Sequence, residues 1–194
     1  MGADFFLQPV LTVARQLLGM RLVRLLNGER LGGIIVETEA YRGEEDLACH
    51  ARAGLTPRTQ VMYGPPGHAY VYFTYGMHWM LNFVCGEPGY PAAVLLRGIY
   101  PTEGLETIAA RRPGRHRSSW ASGPARLCKA LAIDGSFNGH ALYNPQSELW
   151  IESAPPLGDE CVQIGPRIGI PNVPEPWRSK PWRFCTSPTA ATQE

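Results

Sequence analysis

Residues 34–50, with the sequence IIVETEAYRGEEDLACH, bring acidic, aromatic and imidazole side chains together in a pattern that could support acid–base chemistry. If the first half of this segment is a β-strand, alternate side chains lie on opposite faces. One face carries Ile34, Val36, Thr38 and Ala40, and the other carries Ile35, Glu37, Glu39 and Tyr41. The second face is too polar for a core and suits the floor of a cleft, where a positioned carboxylate can serve as a base. The alternative is a half-exposed strand with solvated acids.

Residues 68–84, with the sequence HAYVYFTYGMHWMLNFV, form a predicted aromatic hairpin whose turn falls at Gly76. Tyr75 lies beside this turn, where it is poorly placed for a core and well placed to protrude. A protruding side chain can wedge into a stack of nucleic-acid bases. Stacking on one base contributes about 1–3 kcal/mol, comparable with the few kcal/mol that unstacking a nucleotide costs. The alternative is that the tyrosines pack within a sheet.

The positive charge of the chain is concentrated in one region. The net charge is only +1, but 16 of the 18 basic residues are arginines, and four of these fall within residues 111–117. Two more cations follow on a predicted helix over residues 124–131, whose Ser-Gly-Pro start favours a helix N-terminus and attracts phosphate. We call these cations the basic stripe: Arg111, Arg112, Arg115, Arg117, Arg126 and Lys129. The alternative is an exposed basic helix with solvated charges.

The length and composition favour one mixed α/β domain with an antiparallel sheet at its centre. A chain of 194 residues with 44% hydrophobic residues is long enough to bury its own core. The 21 glycines and 18 prolines indicate many turns and irregular connections. No internal repeat or linker divides the chain, so we interpret residues 1–194 as a single domain, with a disordered tail over residues 187–194.

The predicted elements begin with a helix over residues 9–18 and a hairpin whose turn is Asn27-Gly28. The second strand of this hairpin continues into the acidic segment, so a tight turn fixes its register. Further along, the pattern predicts a buried strand over residues 92–98 and a helix over residues 101–112, with Thr102 as the N-cap. Short strands are predicted over residues 148–152, 167–170 and 182–185.

Several classes of protein do not fit the sequence. The five cysteines are odd in number, widely spaced and never arranged as CxxC, which argues against a disulfide framework and a zinc site. The apolar stretches are too short for a membrane span, and no secretion signal is recognisable. We therefore expect no metal, no other cofactor and no membrane contact. A metal-dependent nuclease is an alternative, although its candidate ligands match no HExxH spacing. These ligands would be Glu37, Glu39, Asp46 and His50.

A set of spaced motifs resembles the alkyladenine DNA glycosylase family. The motifs are ETEAY at residues 37–41, His50, YVYFTYGM at residues 70–77, Asn82, VLLR at residues 94–97, GPARLCKALAI at residues 123–133 and RIGI at residues 167–170. They occur in the family's order, and the resemblance extends from residue 5 to residue 184. It implies an α+β fold with a central curved antiparallel sheet, short helices and many loops. It also implies monofunctional base excision repair of alkylated or deaminated purines, of the 3-methyladenine, ethenoadenine and hypoxanthine class.

The same resemblance assigns catalytic and base-binding roles. Glu39 would activate the water that hydrolyses the N-glycosidic bond, while Arg97 and the backbone carbonyl of Ile168 would help to hold that water. Asn82 would crowd bases that bear a 2-amino group. The flipped purine would lie in a pocket lined by Tyr41, His50, Tyr72, Asn82, Leu95 and Ile168.

The resemblance and the charge pattern together predict the DNA contacts. Tyr75 and Met77 would enter the duplex and fill the gap that the flipped base leaves. Arg58 and the basic stripe would contact the DNA backbone. The expected partner is double-stranded DNA that contains damaged purines, bound by a monomer. We expect a cytoplasmic location, or association with the nucleoid if the protein is bacterial.

Two other activities stay open at this point. A bifunctional glycosylase-lyase would need an amine nucleophile, but Lys129 belongs to the basic stripe and Lys180 to a Pro-flanked loop, and neither neighbours Glu39 in the sequence. A non-catalytic DNA-damage-binding protein would use the tyrosine wedge and the basic stripe. Such a protein would have no use for a positioned carboxylate, so substitution of Glu39 distinguishes it from an enzyme.

Overall fold

The computed structural model describes residues 1–192 and confirms the α+β class, with an eight-stranded antiparallel sheet at its centre. The strands are β1 Arg21–Leu26, β2 Glu29–Arg42, β3 Ala69–Thr74, β4 His78–Val84, β5 Ala92–Glu103, β6 Leu149–Glu152, β7 Gln163–Gly165 and β8 Arg183–Cys185. The helices are α1 Val10–Gln16, α2 Leu105–Arg111, α3 Pro124–Leu131 and α4 Pro188–Thr192. Six strands follow the order β3-β4-β5-β2-β1-β6, and β8 pairs with both β2 and β7. Strand β2, which carries the acidic segment, is therefore central.

The two predicted hairpins are confirmed, and both turn through residues with positive φ. Asn27 and Gly28 have φ values of 52° and 83°, and the β1–β2 register closes with Leu26 opposite Glu29. Tyr75 and Gly76 have φ values of 52° and 66° at the tip of the β3–β4 hairpin. Two consecutive positive φ values match the right-handed twist of the flanking strands. Each turn therefore fixes which side chains face the site.

The alternation of side chains predicted for β2 holds at Thr38 and fails at Ile35. Thr38 turns away from the site and donates a hydrogen bond from Oγ1 to the carbonyl oxygen of Ala14 at 2.8 Å, which ties β2 to α1. Ile35 was expected to share a face with Glu37, but it belongs to the main hydrophobic core. The β2–β5 pairing shifts register between these two residues, and such a bulge changes the phase of the alternation.

The second half of β5 corrects the prediction of a helix over residues 101–112. The strand continues through Thr102, which is therefore no N-cap, and the helix begins only at Leu105. Pro101 lies opposite Gly33 in the β2–β5 ladder, where any side chain on the glycine would collide with the backbone carbonyl of Tyr100. The glycine of β2 thus allows the backbone of β5 to approach closely, so that β5 continues through residue 103. This pairing between strands overrides the local sequence pattern that predicted a helix from residue 101.

One prediction for the C-terminal third is also wrong. Residues 167–170 form a bend with Gly169 at a φ of 84°, and the nearby strand β7 lies at residues 163–165 instead. The disorder predicted from residue 187 stays a prediction. In the structure, residues 188–192 form α4, and Ala191 is buried in the main core. Residues 193 and 194 of that predicted tail lie outside the described residues. The strands predicted over residues 148–152 and 182–185 match β6 and β8.

Two hydrophobic cores lie under different parts of the sheet. The main core contains the buried residues of α1 and α3 together with one face of the central strands. A smaller core of Cys49, Ala51, Met62, Tyr70, Val84 and Ala93 supports the rings of Tyr41 and Tyr72. Among residues 1–192, no helix has the length and apolar character that crossing a membrane requires.

Candidate active site

A pocket of about 290 Å³ opens beside the front of β2, between the β3–β4 hairpin and the loop that contains Ile168. The predicted site residues that line it are Tyr41, His50, Tyr72, Tyr75, Asn82, Leu95, Arg97 and Ile168. These residues come from four strands and from three connecting segments, which contain His50, Tyr75 and Ile168. Glu39 does not itself line the pocket, but three of its hydrogen-bonding partners do.

The carboxylate of Glu39 is completely buried and lies between three donors. Oε1 accepts a hydrogen bond from the backbone N–H of Ile168 at 2.6 Å, and Oε2 accepts one from the hydroxyl of Tyr41 at 2.9 Å. Arg97 Nη1 lies 3.4 Å from the same Oε2 atom. Burial raises the pKa of Glu39 above its usual value, while the Arg97 charge and the two hydrogen bonds partly oppose this shift. The result is a fixed carboxylate that binds a proton more readily than a solvated one.

Glu37 holds Arg97 in place from the other side. Its Oε1 atom accepts hydrogen bonds from Arg97 Nε at 3.0 Å and from Arg183 Nη1 at 3.2 Å. Arg97 therefore bridges the two carboxylates of β2, and its charge lies at the pocket wall. Because its guanidinium is forked between fixed partners, Arg97 has little freedom to change orientation.

The aromatic wall of the pocket is built on the His50 ring. His50 and Tyr72 meet edge to face, with ring centroids 4.5 Å apart, and His50 Nδ1 lies 2.9 Å from the hydroxyl of Tyr70. Burial, together with the charges of Arg58 and Arg52, lowers the pKa of His50 to about 4. His50 is therefore neutral at neutral pH and offers the pocket a hydrogen-bonding aromatic ring.

The pocket floor is held by Asn82 and Leu95, which are partners in the β4–β5 register. Asn82 is buried, and its Nδ2 atom donates a hydrogen bond to the carbonyl oxygen of Tyr70 at 3.0 Å. This bond fixes the orientation of the amide, so its remaining polar atoms are presented in one direction. The floor thus combines one fixed polar group with one apolar side chain.

Arg167 and Asp46 belong to the site but were not predicted from the sequence as site residues. Arg167 and Asp46 form an ion pair in which both side chains are fully buried, directly behind Tyr41. Arg167 was included only as the first letter of the RIGI motif, and Asp46 only as an alternative metal ligand. Within residues 1–192, no three His, Cys, Asp or Glu side chains group as metal ligands.

The tip of the β3–β4 hairpin projects from the pocket rim. Tyr75 is 80% exposed and Met77 is 66% exposed, which is unusual for large apolar side chains. The tip is closed by a hydrogen bond from the Met77 N–H to the carbonyl oxygen of Thr74 at 3.1 Å. The turn therefore presents an aromatic and an aliphatic side chain next to the opening.

The basic stripe contains no cation that forms an ion pair with a carboxylate of residues 1–192. Arg115, Arg126 and Lys129 are exposed. Burial and the neighbouring charges of Arg126 and Arg115 lower the pKa of Arg112, so these guanidinium groups lie close enough to repel one another. An anion at this surface would relieve the repulsion.

Four of the predicted DNA-backbone contacts also have partners within the protein. Arg126 Nη1 donates to the carbonyl oxygen of Ser122 at 3.1 Å. Arg111 Nε donates to the carbonyl oxygen of Lys129 at 3.0 Å. Arg117 donates twice to the carbonyl oxygen of Pro101 and lies over the Tyr100 ring. Arg58 is exposed and stacks over Tyr72 at 5.1 Å. Arg58 is thus at the pocket rim, separate from the basic stripe.

Comparison with known proteins gives one consistent family. The family model described as methylpurine-DNA glycosylase (MPG) matches residues 4–189. A protein of Methanocella arvoryzae is 48% identical over 182 residues, which cover 93% of this chain and 89% of the relative. Proteins of Carboxydothermus hydrogenoformans and Myxococcus xanthus are 46% and 47% identical over 181 residues, covering 93% of this chain and 92% and 87% of the relatives. All three carry the name "Putative 3-methyladenine DNA glycosylase".

Proposed function

The chain belongs to the methylpurine-DNA glycosylase family, and from this premise we propose that it is a monofunctional enzyme of base excision repair that removes damaged purines by hydrolysis. The substrate class is alkylated or deaminated purines of the 3-methyladenine, ethenoadenine and hypoxanthine type, in duplex DNA. The enzyme flips the damaged nucleotide into the pocket beside Glu39. A water then attacks C1′ of the sugar and loses a proton to Glu39. The N-glycosidic bond breaks, the purine leaves with the bonding electron pair, and an abasic site remains.

The observation that carries this proposal is the buried carboxylate of Glu39, held directly behind the pocket wall by three residues that line the pocket: Tyr41, Arg97 and Ile168. Hydrolysis of an N-glycosidic bond needs a base for the water and a negative charge near the oxocarbenium-like transition state. One fixed carboxylate serves both needs. Because burial raises its pKa, Glu39 is a better proton acceptor than a solvated glutamate when it is ionised. The carbonyl of Ile168 is a second contact proposed for the water.

The pocket walls support binding of a flat aromatic base. Tyr41 lines one part of the pocket, and the His50–Tyr72 pair lines another, so a purine can stack against aromatic rings. Asn82, fixed by its hydrogen bond to Tyr70, excludes purines that carry a 2-amino group by steric conflict at the floor. A damaged or mispaired base also costs less to extrude, which adds to the selectivity.

A water nucleophile fits this pocket better than an amine. None of the residues that line the pocket is a lysine. Lys180 stacks on Trp177 and Trp182, with its Nζ atom 4.9 Å and 5.0 Å from the ring centroids, and Lys129 is exposed on α3. A lyase mechanism would require a neutral amine beside the sugar. The product is therefore an abasic site in an unbroken strand.

The experiment that tests this function is single-turnover base release from labelled duplexes carrying each of the three lesions, with EDTA present. Parallel samples are left without alkali, and the Glu39→Gln variant is assayed beside the unmodified chain. We expect base release that resists EDTA, depends on Glu39 and breaks the strand only after alkali. Borohydride trapping should give no covalent adduct.

The other outcomes of this experiment are equally informative. Strand cleavage without alkali, together with a borohydride-trapped adduct, would indicate a lyase. Loss of release in EDTA would indicate metal chemistry. Tight, lesion-selective binding without release from any lesion, unaffected by Glu39→Gln, would indicate a non-catalytic damage-binding protein.

A further inference from the structure

We propose that Arg167 and Asp46 form a positioning clamp that orients two of the groups holding the Glu39 carboxylate. Arg167 acts through its neighbours and does not touch the base or the water. The inference rests on the proposed role of Glu39 as the base for the attacking water. It adds a pair of residues, 121 positions apart in the sequence, to those on which the chemistry depends.

The Arg167 side chain is fixed by four hydrogen bonds. Its Nη1 and Nη2 atoms donate to Asp46 Oδ2 at 2.5 Å and to Oδ1 at 2.9 Å, which is a bidentate, charge-assisted pair. Nη1 also donates to the carbonyl oxygen of Ala40 at 3.0 Å, and Nη2 to that of Trp177 at 3.1 Å. Arg167 is therefore bonded to strand β2 itself, next to the residues of the site.

Both donors that Arg167 positions are hydrogen-bonded to Glu39. The guanidinium carbon lies 4.6 Å from the ring centroid of Tyr41 and 4.9 Å from that of Trp182, so Arg167 is stacked between two rings. Tyr41 donates its hydroxyl to Glu39, and Ile168, the residue after Arg167, donates its backbone N–H to the other oxygen. A shift of Arg167 would move both donors together.

Asp46 extends the clamp to the opposite wall of the pocket. Its Oδ1 atom accepts a hydrogen bond from the Ala48 N–H at 3.0 Å, and its backbone carbonyl accepts one from the Cys49 N–H at 2.8 Å. The next residue is His50, which forms the aromatic wall. One buried ion pair thus fixes the Tyr41 wall, the His50 wall and the N–H donor to the carboxylate.

The energetics of buried ion pairs support an orienting role over a stabilising one. Both side chains have no exposed surface, so each ion has lost its water of hydration. The mutual attraction of such a pair offsets this loss only with excellent geometry, and apolar replacements are often as stable. Arg167 Nε is also buried without a partner among the described residues. The residue pair is therefore better explained by the geometry that it imposes than by stability.

The direct test is Arg167→Lys, which keeps the charge but loses the planar fork. We expect lesion binding to be retained and the single-turnover excision rate to fall by about 10- to 100-fold, because small displacements of catalytic groups are costly. We also expect the acidic limb of the pH–rate profile to move to higher pH. The Ile168 N–H lowers the pKa of Glu39, so a weakened bond allows Glu39 to be protonated at higher pH.

The other charged or titratable groups that face Glu39 are unchanged in this variant. They are Glu37 and Tyr41 on β2, Tyr72 on β3, Arg97 on β5 and Arg183 on β8. Asp46→Asn is the second variant, because it keeps the size of the side chain and removes only the charge that holds Arg167. It should move the acidic limb in the same direction, and it tests the clamp if Arg167→Lys does not fold.

Arg24→Lys is the matched control, since Arg24 is also a buried arginine, paired with Glu148 at 3.1 Å and lying 4.5 Å from the Phe137 ring centroid. It should lower stability without moving the acidic limb. A merely structural defect would lower the excision rate of the Arg167 and Asp46 variants without moving the acidic limb of the pH–rate profile. That result would overturn the clamp and leave the role of Glu39 intact. If Glu39→Gln excises normally, both the clamp and the proposed function are overturned.

Discussion

The charged network around Glu39 and the basic stripe use arginine in opposite ways. In the network, which consists of Glu37, Glu39, Asp46, Arg97, Arg167 and Arg183, every arginine is paired with a carboxylate. In the basic stripe, no cation pairs with a carboxylate of residues 1–192. The network is largely buried, whereas much of the stripe is exposed.

This difference separates chemistry from affinity. A charge that is already neutralised by the fold cannot also neutralise a phosphate, but it can hold a reacting group in one place. An unpaired exposed charge cannot fix geometry, but it releases counterions when it meets DNA. The two regions should therefore respond differently to substitution, to pH and to salt.

The largest difference between the regions is expected from the charge of Glu39. Glu39→Gln should lower the single-turnover excision rate by about 10²- to 10⁴-fold, the usual contribution of a general base, while lesion binding is kept. Glu29→Gln, at an exposed glutamate that accepts a hydrogen bond from Thr107, is the matched control and should have no effect on the rate. Comparable excision rates for the two variants would show that Glu39, and with it the network, has no role in the chemistry.

The second prediction compares stability across the two regions. Arg97→Met leaves the buried Glu39 charge without its cation, so we expect a loss of about 3–5 kcal/mol in the free energy of unfolding. Arg126→Met, at an exposed position whose arginine forms no ion pair with a carboxylate of residues 1–192, should change this free energy by no more than about 0.5 kcal/mol. Urea unfolding of both variants measures the difference, and equal losses would contradict the contrast.

The third prediction concerns the hairpin tip, which belongs to neither region. Tyr75→Ser removes an exposed ring that can stack on bases, so binding to lesion duplex should weaken by about 1–3 kcal/mol. Tyr75→Phe keeps the ring and should bind like the unmodified chain. Titration of fluorescent lesion duplex with each variant provides the measurement. Unchanged binding by Tyr75→Ser would rule out the wedge.

The smallest expected effect is the salt dependence of each stripe cation. Arg115→Ala and Arg126→Ala should each reduce the slope of log K against log salt by about 0.9 for one lost phosphate contact. Damaged and undamaged duplex should be affected alike, because phosphate contacts carry no base information. Arg21→Ala removes a half-exposed arginine that pairs with Glu103, and it should leave the slope unchanged. An effect of the stripe variants on damaged duplex alone would contradict the division between the two regions.

The parts of the fold that could be predicted are those with local causes. The Asn27-Gly28 and Tyr75-Gly76 turns set the two hairpins, and Pro124 sets the start of α3. The length of β5 could not be predicted, because it depends on the close approach of Tyr100 to Gly33 across the sheet. The bulge after Ile35 arises in the same pairing and has no signal in the sequence of β2 alone.

The candidate site was predicted as a set of residues but not as an arrangement. The motifs named Glu39, Tyr41, His50 and Arg97, and these residues gather around one pocket. The structure adds a contact of Ile168 that was not predicted, since its N–H donates to Glu39. The predicted contact between the Ile168 carbonyl and water stays a prediction. The Arg167–Asp46 pair was missed because neither residue has a local pattern that indicates its partner.

The sequence by itself determined the types of side chain, their order and the local turns, because propensity and alternation act over a few residues. It also determined the concentration of cations in one segment. Only the tertiary structure decided that Glu39 is buried, that Arg97 bridges two carboxylates and that Arg167 meets Asp46 behind Tyr41. The physical reason is that pKa values, ion pairing and pocket shape depend on distances between segments, which are set by packing and are not written in any single segment.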